Sequence, residues 1–181
     1  MAGQIVVGID GSVPSLQAMD WAFGEARRSG SPLHLVHAVP DRTYSGAVDS
    51  VFRDALVEDA KQVVAHAEAA VPADLADRSQ VEWVLGSPVE VLVRAGERSR
   101  MVVVGTHGRG AVGAAVLGSV GRHVLRHATG PVVVAHQVNA PGSRVVAGLD
   151  LEVPEPLLSA AFEQAASRGL PLTVEIGRAH V

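Results

Sequence analysis

Cysteine is absent from this chain and lysine nearly so: of 15 basic residues, only Lys61 is a lysine. No disulfide scaffold and no thiolate metal site is available, and the usage fits a reducing compartment. Positive charge is also in deficit. The formal net charge of −4 excludes general affinity for nucleic acid or an anionic membrane surface. Long apolar runs are missing too. The longest, Ala111 to Val120, is rich in glycine and alanine and far short of the roughly 20 residues that span a bilayer. An apolar strand, Ile5 to Ile9, begins almost at Met1 and leaves no room for a charged and then apolar leader, so the expectation is a cytoplasmic protein. What is present is a composition 48% hydrophobic and 19% charged over 181 residues, which supports one domain, or one plus part of another, and argues against disorder.

The apolar residues alternate between two kinds of segment. Ile5 to Ile9, Leu33 to Val39, Val81 to Leu85, Met101 to Val104 and Val132 to Ala135 are short continuous runs, as strands buried on both faces require. Between them lie helical periodicities. One carries Leu16, Met19, Phe23 and Ala26 and stops at Gly30; another carries Leu56, Ala60, Val63, Ala67 and Val71; a third buries Val89, Leu92 and Val93; the last runs from Ser119 to about Ala128. Ser87-Pro88-Val89-Glu90 has the composition of a capping box, and the polar stretch Pro40 to Ser50 reads as a mobile loop. Strands alternating with helices predict a doubly wound, parallel α/β sheet of five strands with right-handed crossovers. Ligands on such sheets sit beyond the carboxyl ends of the strands, where Asp10, Ala38 and Gly105 all fall.

Arg144 to Asp150 echoes Gln4 to Asp10, Val153-Pro154 echoes Val13-Pro14, and Phe162 with Gly169 to Leu172 echoes Phe23 with Gly30 to Leu33. A repeat spaced by a whole domain is a tandem duplication. The expected division is a domain over 1–138, a linker over 139–143 and the start of a second domain over 144–175. The stretch 176–181 departs from the repeat and matches one reading frame of a common sequencing adapter, so it reads as a non-native tail on a truncated gene read, with a short natural extension as the alternative.

Several motif matches fail on context. Gly108-Arg-Gly110-Ala-Val-Gly113 satisfies G-x-G-x-x-G, yet it follows the fourth strand and no acidic residue ends the next, so it is no dinucleotide fingerprint. No Gly-Lys pair exists, hence no Walker A lysine. His123 and His127 have zinc spacing but no third ligand, and read as cations near a helix C-terminus. Ser119, His107 and Asp10 lack the G-x-S-x-G elbow of a hydrolase triad; a serine after glycine at a helix start is more often a cap. His107 is as able to brace its loop as to touch ligand.

The pattern that survives is Gly105-x2-Gly108-x9-Gly118-Ser119, a strand leading through glycines to a helix start. Bare amides, the helix dipole and close backbone approach make that arrangement hospitable to phosphate. With Val-Gly-Ile-Asp-Gly-Ser at residues 7–12, Gly-Ser-Pro-Val-Glu at 86–90 and Thr-Gly-Pro-Val-Val-Val at 129–134, it resembles the ATP-binding branch of the universal stress protein family, in tandem form. The resemblance covers residues 3–136 and restarts at 144.

That resemblance implies strand order 3-2-1-4-5 and ATP, with or without Mg2+, as ligand. It places Asp10 on ribose or adenosine with Ile9 and Gly11 beside it, Ala38 and Val39 flanking adenine, Val104 and Gly105 against the nucleoside, and Gly108, Gly118, Ser119 and Val120 around the phosphates. Arg109 would add charge. Asp10 has a second reading, an aspartate that caps its own turn. Position 121, often a hydroxyl residue in ATP-binding relatives, is glycine here. The family also implies pairing through strand five, either as a homodimer or between domains of one chain. The expected role is nucleotide-dependent regulation under stress, with at most slow hydrolysis; the alternatives are a nucleotide-free interaction module and, more remotely, an adenylating enzyme.

Overall fold

Runs of β-branched residues build the sheet, because such side chains pack well on a pleated surface covered on both faces. In this computed structural model the described residues are 3–40, 47–108, 117–136, 142–149 and 155–176, without the side chains of 47–52, 149 and 176. Strands β1 (Ile5–Gly8), β2 (Leu33–Val39), β3 (Ser79–Leu85), β4 (Met101–Gly105) and β5 (Val132–Ala135) pair in the order β3-β2-β1-β4-β5. All four pairings are parallel, with Ile5 opposite both Leu33 and Met101. This is the open five-stranded sheet expected from the sequence, and its strand order reverses between β1 and β4.

Helices α1 (Val13–Ser29) and α2 (Ala47–Ala70) cover one face, α3 (Pro88–Gly96) and α4 (Ser119–His127) the other. The first layer joins Ile5, Val7, Leu33, Leu35 and Val103 to Met19, Phe23 and Ala26 of α1 and Val63 and Ala67 of α2. The second joins Val6, Val36, Val102 and Val104 to Leu92 of α3 and Val124 of α4. Among the described residues no helix is long and apolar enough to cross a membrane.

Four local expectations need correction. Leu16 is 42% exposed, because the buried stripe of α1 is centred on Ser15, Ala18, Ala22 and Ala26 and leaves Leu16 at its margin. Leu56 is 37% exposed: α2 has 24 residues and β2 only seven, so at about 1.5 Å per residue the helix outruns a strand rising about 3.3 Å per residue. Ser87 makes no side-chain cap bond and Glu90 is exposed; α3 starts instead on Pro88 and the bond from Val91 N–H to Ser87 O, so no capping box forms. Ser119 is the first residue of α4 rather than its cap, which is Gly118. A 3-10 turn, Ala73–Arg78, also precedes β3 and buries Leu75 completely. Helix α1 ends as expected on Gly30, whose φ of 71° suits glycine.

The chain divides into two units, Met1–Gln137 and Val138–Val181. In the second, β6 (Val145–Leu149) and β7 (Leu172–Ile176) are parallel and joined by α5 (Glu155–Arg168). Their register sets Val145 opposite Leu172, as Ile5 stands opposite Leu33. Val145 N–H donates to Pro171 O at 2.8 Å, as Ile5 N–H does to Pro32 O. Part of the expected loop (41–46), most of the linker (139–141), Asp150 to Pro154 of the repeat and the end of the tail (177–181) lie outside the described residues.

Candidate functional site

The end of β1 organises the site. Asp10 Oδ1 accepts from Ser12 N–H at 3.0 Å and from the Ser12 hydroxyl at 2.5 Å. Ser12 caps α1 by accepting from Ser15 N–H, and Ser15 Oγ–H donates back to Ser12 O at 2.9 Å. Gly11 makes the turn possible with φ of 75°. One carboxylate oxygen thus serves the turn, as the second reading of Asp10 had it. The other, Oδ2, stands beside Gly108: a β-carbon there would lie 2.5 Å from it. At Gly105 a β-carbon would lie 2.6 Å from Pro14 C and O, so β4 passes directly under the first turn of α1.

Helix α4 closes the opposite wall. Its first internal bond runs from Arg122 N–H to Gly118 O, and among the described residues no side chain caps it. The amides of Ser119, Val120 and Gly121 therefore have no acceptor within the helix. Gly118 N–H is held by Thr106 O at 2.7 Å. Beside it, the Thr106 hydroxyl and His107 Nδ1 are 3.0 Å apart, a contact between neighbouring side chains, and His107 itself lines the cavity that these walls enclose.

A third wall comes from β2. His37 Nδ1 lies 2.7 Å from Ile9 O; a carbonyl only accepts, so the ring donates from Nδ1. Ile9 N–H donates to Val36 O at 3.0 Å, which continues the β1–β2 ladder by one bond.

These elements enclose a cavity of about 400 Å3, within the range of small-molecule sites. Nine predicted residues line it: Ile9 and Asp10 after β1, Ala38 of β2, Val104 and Gly105 of β4, Gly108 in the following loop, and Gly118, Ser119 and Val120 at the start of α4. Two predicted residues do not. Val39 is 4% exposed and does not line the cavity, whereas the residue before it, Ala38, does. Gly11 shapes the turn without forming a wall. Arg109 lies outside the described residues. The wall also contains Val36, His37, Pro88 and Leu92, which sequence reasoning did not assign to the site. Val36, His37 and Leu92 are apolar or strand residues with no pattern to set them apart from core, while Pro88 stands in the Gly-Ser-Pro-Val-Glu stretch without a site role having been read from it. Gly121 is a wall residue too, and a β-carbon there would meet Leu117 Cδ1 at 2.9 Å.

His123 Nδ1 lies 2.7 Å from Ser119 O and His127 Nδ1 2.8 Å from His123 O, so both rings bond back to the helix. Among the described residues no group of three or more His, Cys, Asp or Glu side chains could hold a metal ion.

A parallel sheet covered on both faces, with a cleft over the point where strand order reverses, defines a doubly wound α/β domain with its cavity where such domains take ligands. The model of the universal stress protein family matches residues 1–136, and the chain belongs to that family. It is 33% identical over 185 residues to the universal stress protein Rv2005c of Mycobacterium tuberculosis, a match covering 93% of this chain and 61% of that one. The chain thus spans about three fifths of the length of the curated relatives it matches. Among solved structures, a universal stress protein in complex with cAMP is 28% identical with a TM-score of 0.57, covering 75% of this chain and 99% of the other. UspA from Lactobacillus plantarum, at 21% identity and a TM-score of 0.62 over 74% of this chain and 97% of its own, shares the fold.

Proposed function

We propose that this chain binds an adenine nucleotide, ATP in the first instance, and works as a nucleotide-dependent regulatory module whose association with itself or with partners changes on binding under stress. The observation that carries this reading is the pair of unlike walls on one cavity. The amides of Ser119, Val120 and Gly121 lack helical acceptors, and phosphate oxygens satisfy such donors. The same cavity is lined by the apolar Val36, Ala38 and Leu92, which supports a slot for a base there, and by Asp10, whose carboxylate suits ribose hydroxyls. Mg2+ would arrive on the phosphates. The related protein solved with cAMP supports adenine as the base.

The shared register of β6–β7 and β1–β2 supports reading 144–175 as the start of a second domain of the same kind, joined by 139–143 to a first domain over 1–138; Ile176, which the tail reading included, pairs with Leu149 and belongs to β7. Strand β5, at the edge of its sheet, is the surface through which two such domains would pair. A cytoplasmic location goes with this role.

The direct test is mass spectrometry of small molecules released by heat from freshly purified protein, followed by calorimetric titration of ATP into wild type and Gly118→Val. A β-carbon at 118 already meets His107 Cα at 3.2 Å, so valine should close the phosphate end and abolish binding. Equal titrations for the two proteins would overturn the proposal. Absence of both bound nucleotide and an ATP thermal shift would favour the nucleotide-free interaction module, and rapid substrate-dependent AMP release the adenylating enzyme.

A further inference from the structure

His37 does something to the sheet that its place on a strand does not require. In a parallel ladder, one strand's residue donates its N–H to one neighbour and accepts at its C=O from the residue two further along. Ile9 N–H donates to Val36 O, so the next bond of that ladder would run from Ala38 N–H to Ile9 O. Among the described residues that bond is not made. The Ile9 carbonyl is taken by the His37 ring, at 2.7 Å, and β1 ends at Gly8 while β2 and β3 stay paired through Val39 and Leu85. Ala38 has the same parity as Val36, whose carbonyl faces β1, and it lines the cavity. Its N–H and C=O are therefore presented past the tip of β1 as an adjacent donor and acceptor.

We infer that His37 is a positioning residue: by occupying the Ile9 carbonyl, its Nδ1–H keeps the Ala38 main chain free to read the edge of the ligand's base. The inference rests on the nucleotide reading above, and names the part of the chain that would discriminate among bases. An amide N–H beside a carbonyl complements the N1 acceptor and N6 amino donor of adenine. Hypoxanthine presents the reverse pair, an N1–H and an O6 acceptor, and meets like against like. Strand spacing separates the two ends of the site properly, since β2 lies two strands from β4, about 10 Å at about 4.8 Å per strand.

The test uses the whole chain and follows the Ala38 amide by hydrogen exchange while ATP and ITP are titrated. In wild type the Ala38 N–H should exchange fast without nucleotide and slow at least tenfold with ATP, and ATP should bind about tenfold tighter than ITP, the worth of one well-made hydrogen bond. In His37→Ala the Ile9 carbonyl is released, so the Ala38 amide should become protected without any ligand, and the ATP-to-ITP ratio should fall towards one. His37→Asn should restore both properties, because its side-chain amide places a donor where Nδ1 stood. A histidine needed only for stability would weaken both nucleotides alike and leave the ratio and the exchange pattern intact; that result overturns the inference, as does a protected Ala38 amide in unliganded wild type. Failure of wild type to bind either triphosphate overturns the nucleotide reading, and the base-reading role with it, while the unliganded exchange of the two variants still reports separately on the ladder.

Discussion

Asp10 and Gly108 are fitted to one another: the carboxylate oxygen not used by the α1 turn stands 2.5 Å from where a β-carbon on Gly108 would be. The φ of Gly108 is not positive, so the backbone there is open to any residue and only the space beside Asp10 demands glycine. Gly108→Ala should push the carboxylate aside without breaking the fold. We expect ATP binding to weaken about tenfold or more, since relieving such overpacking costs about 1–3 kcal/mol and 1.4 kcal/mol is a factor of ten. Titration calorimetry with a thermal melt separates the two effects; a melt that collapses while the remaining folded protein binds normally would contradict this account.

Gly105→Ala should behave in the opposite way. Its β-carbon would strike the Pro14 main chain, with C and O both at 2.6 Å, and backbone moves less readily than a side chain. The loss falls on the contact between β4 and α1. We expect about 2–3 kcal/mol of destabilisation, which at about 2–4 °C per kcal/mol lowers the melting temperature by about 4–12 °C. Chemical denaturation of wild type and variant measures it.

Gly121→Ser restores a hydroxyl at the wall of the cavity. The obstacle is Leu117 Cδ1, 2.9 Å from the new β-carbon, but that atom is the end of a flexible side chain and can rotate away. Serine is also the better helix former by a few tenths of a kcal/mol. The variant should fold at least as well as wild type and bind ATP about two- to tenfold tighter, the contribution of one added hydrogen bond. Unchanged affinity in Gly121→Ser and also in the double variant with Leu117→Ala would show that position 121 does not reach phosphate.

Asp74 offers a test on the pH axis. Arg27 holds it with two bonds, Nε to Oδ2 at 2.8 Å and a terminal guanidinium nitrogen to Oδ1 at 2.9 Å. The hydrogen bond from Arg27 lowers the Asp74 carboxyl below its ordinary value of 3.8. A carboxyl depressed by folding stabilises the native state above its unfolded pKa and loses that contribution as pH falls through the folded value. The stability difference between wild type and Asp74→Asn should therefore be full above about pH 4 and vanish on further acidification. Both groups are exposed, so added salt should shrink it. A difference that grows towards low pH would contradict the pairing.

Much of this architecture is legible in the sequence because parallel strands buried on both faces are continuous apolar runs. Met101 to Val104 could be little else, and each strand of the sheet was found within two residues of its start. The glycines of the cavity wall were legible for a similar reason: at Gly108 and Gly118 a β-carbon would press on Asp10 or on His107, and spacing records such tight positions. The apolar part of the wall was not. Val36 and Leu92 are core residues by composition, and only the third dimension shows that their upper edges border a cavity. His37 looks like a polar residue on a half-buried strand until its bond to Ile9 O is seen. Ser87 and Ser119 failed as caps because a hydroxyl near a helix start is permitted to bond the backbone, not compelled to.

The uncapped start of α4 has a thermodynamic consequence. Ser12 completes α1 from within the chain, whereas among the described residues no side chain completes the first turn of α4, so a ligand bound as proposed would supply the missing acceptors. Occupancy and the winding of that helix end would then be a single equilibrium. A surface that engages Arg122, His123 or Arg126 would feel whether the cleft is filled without ever touching its contents.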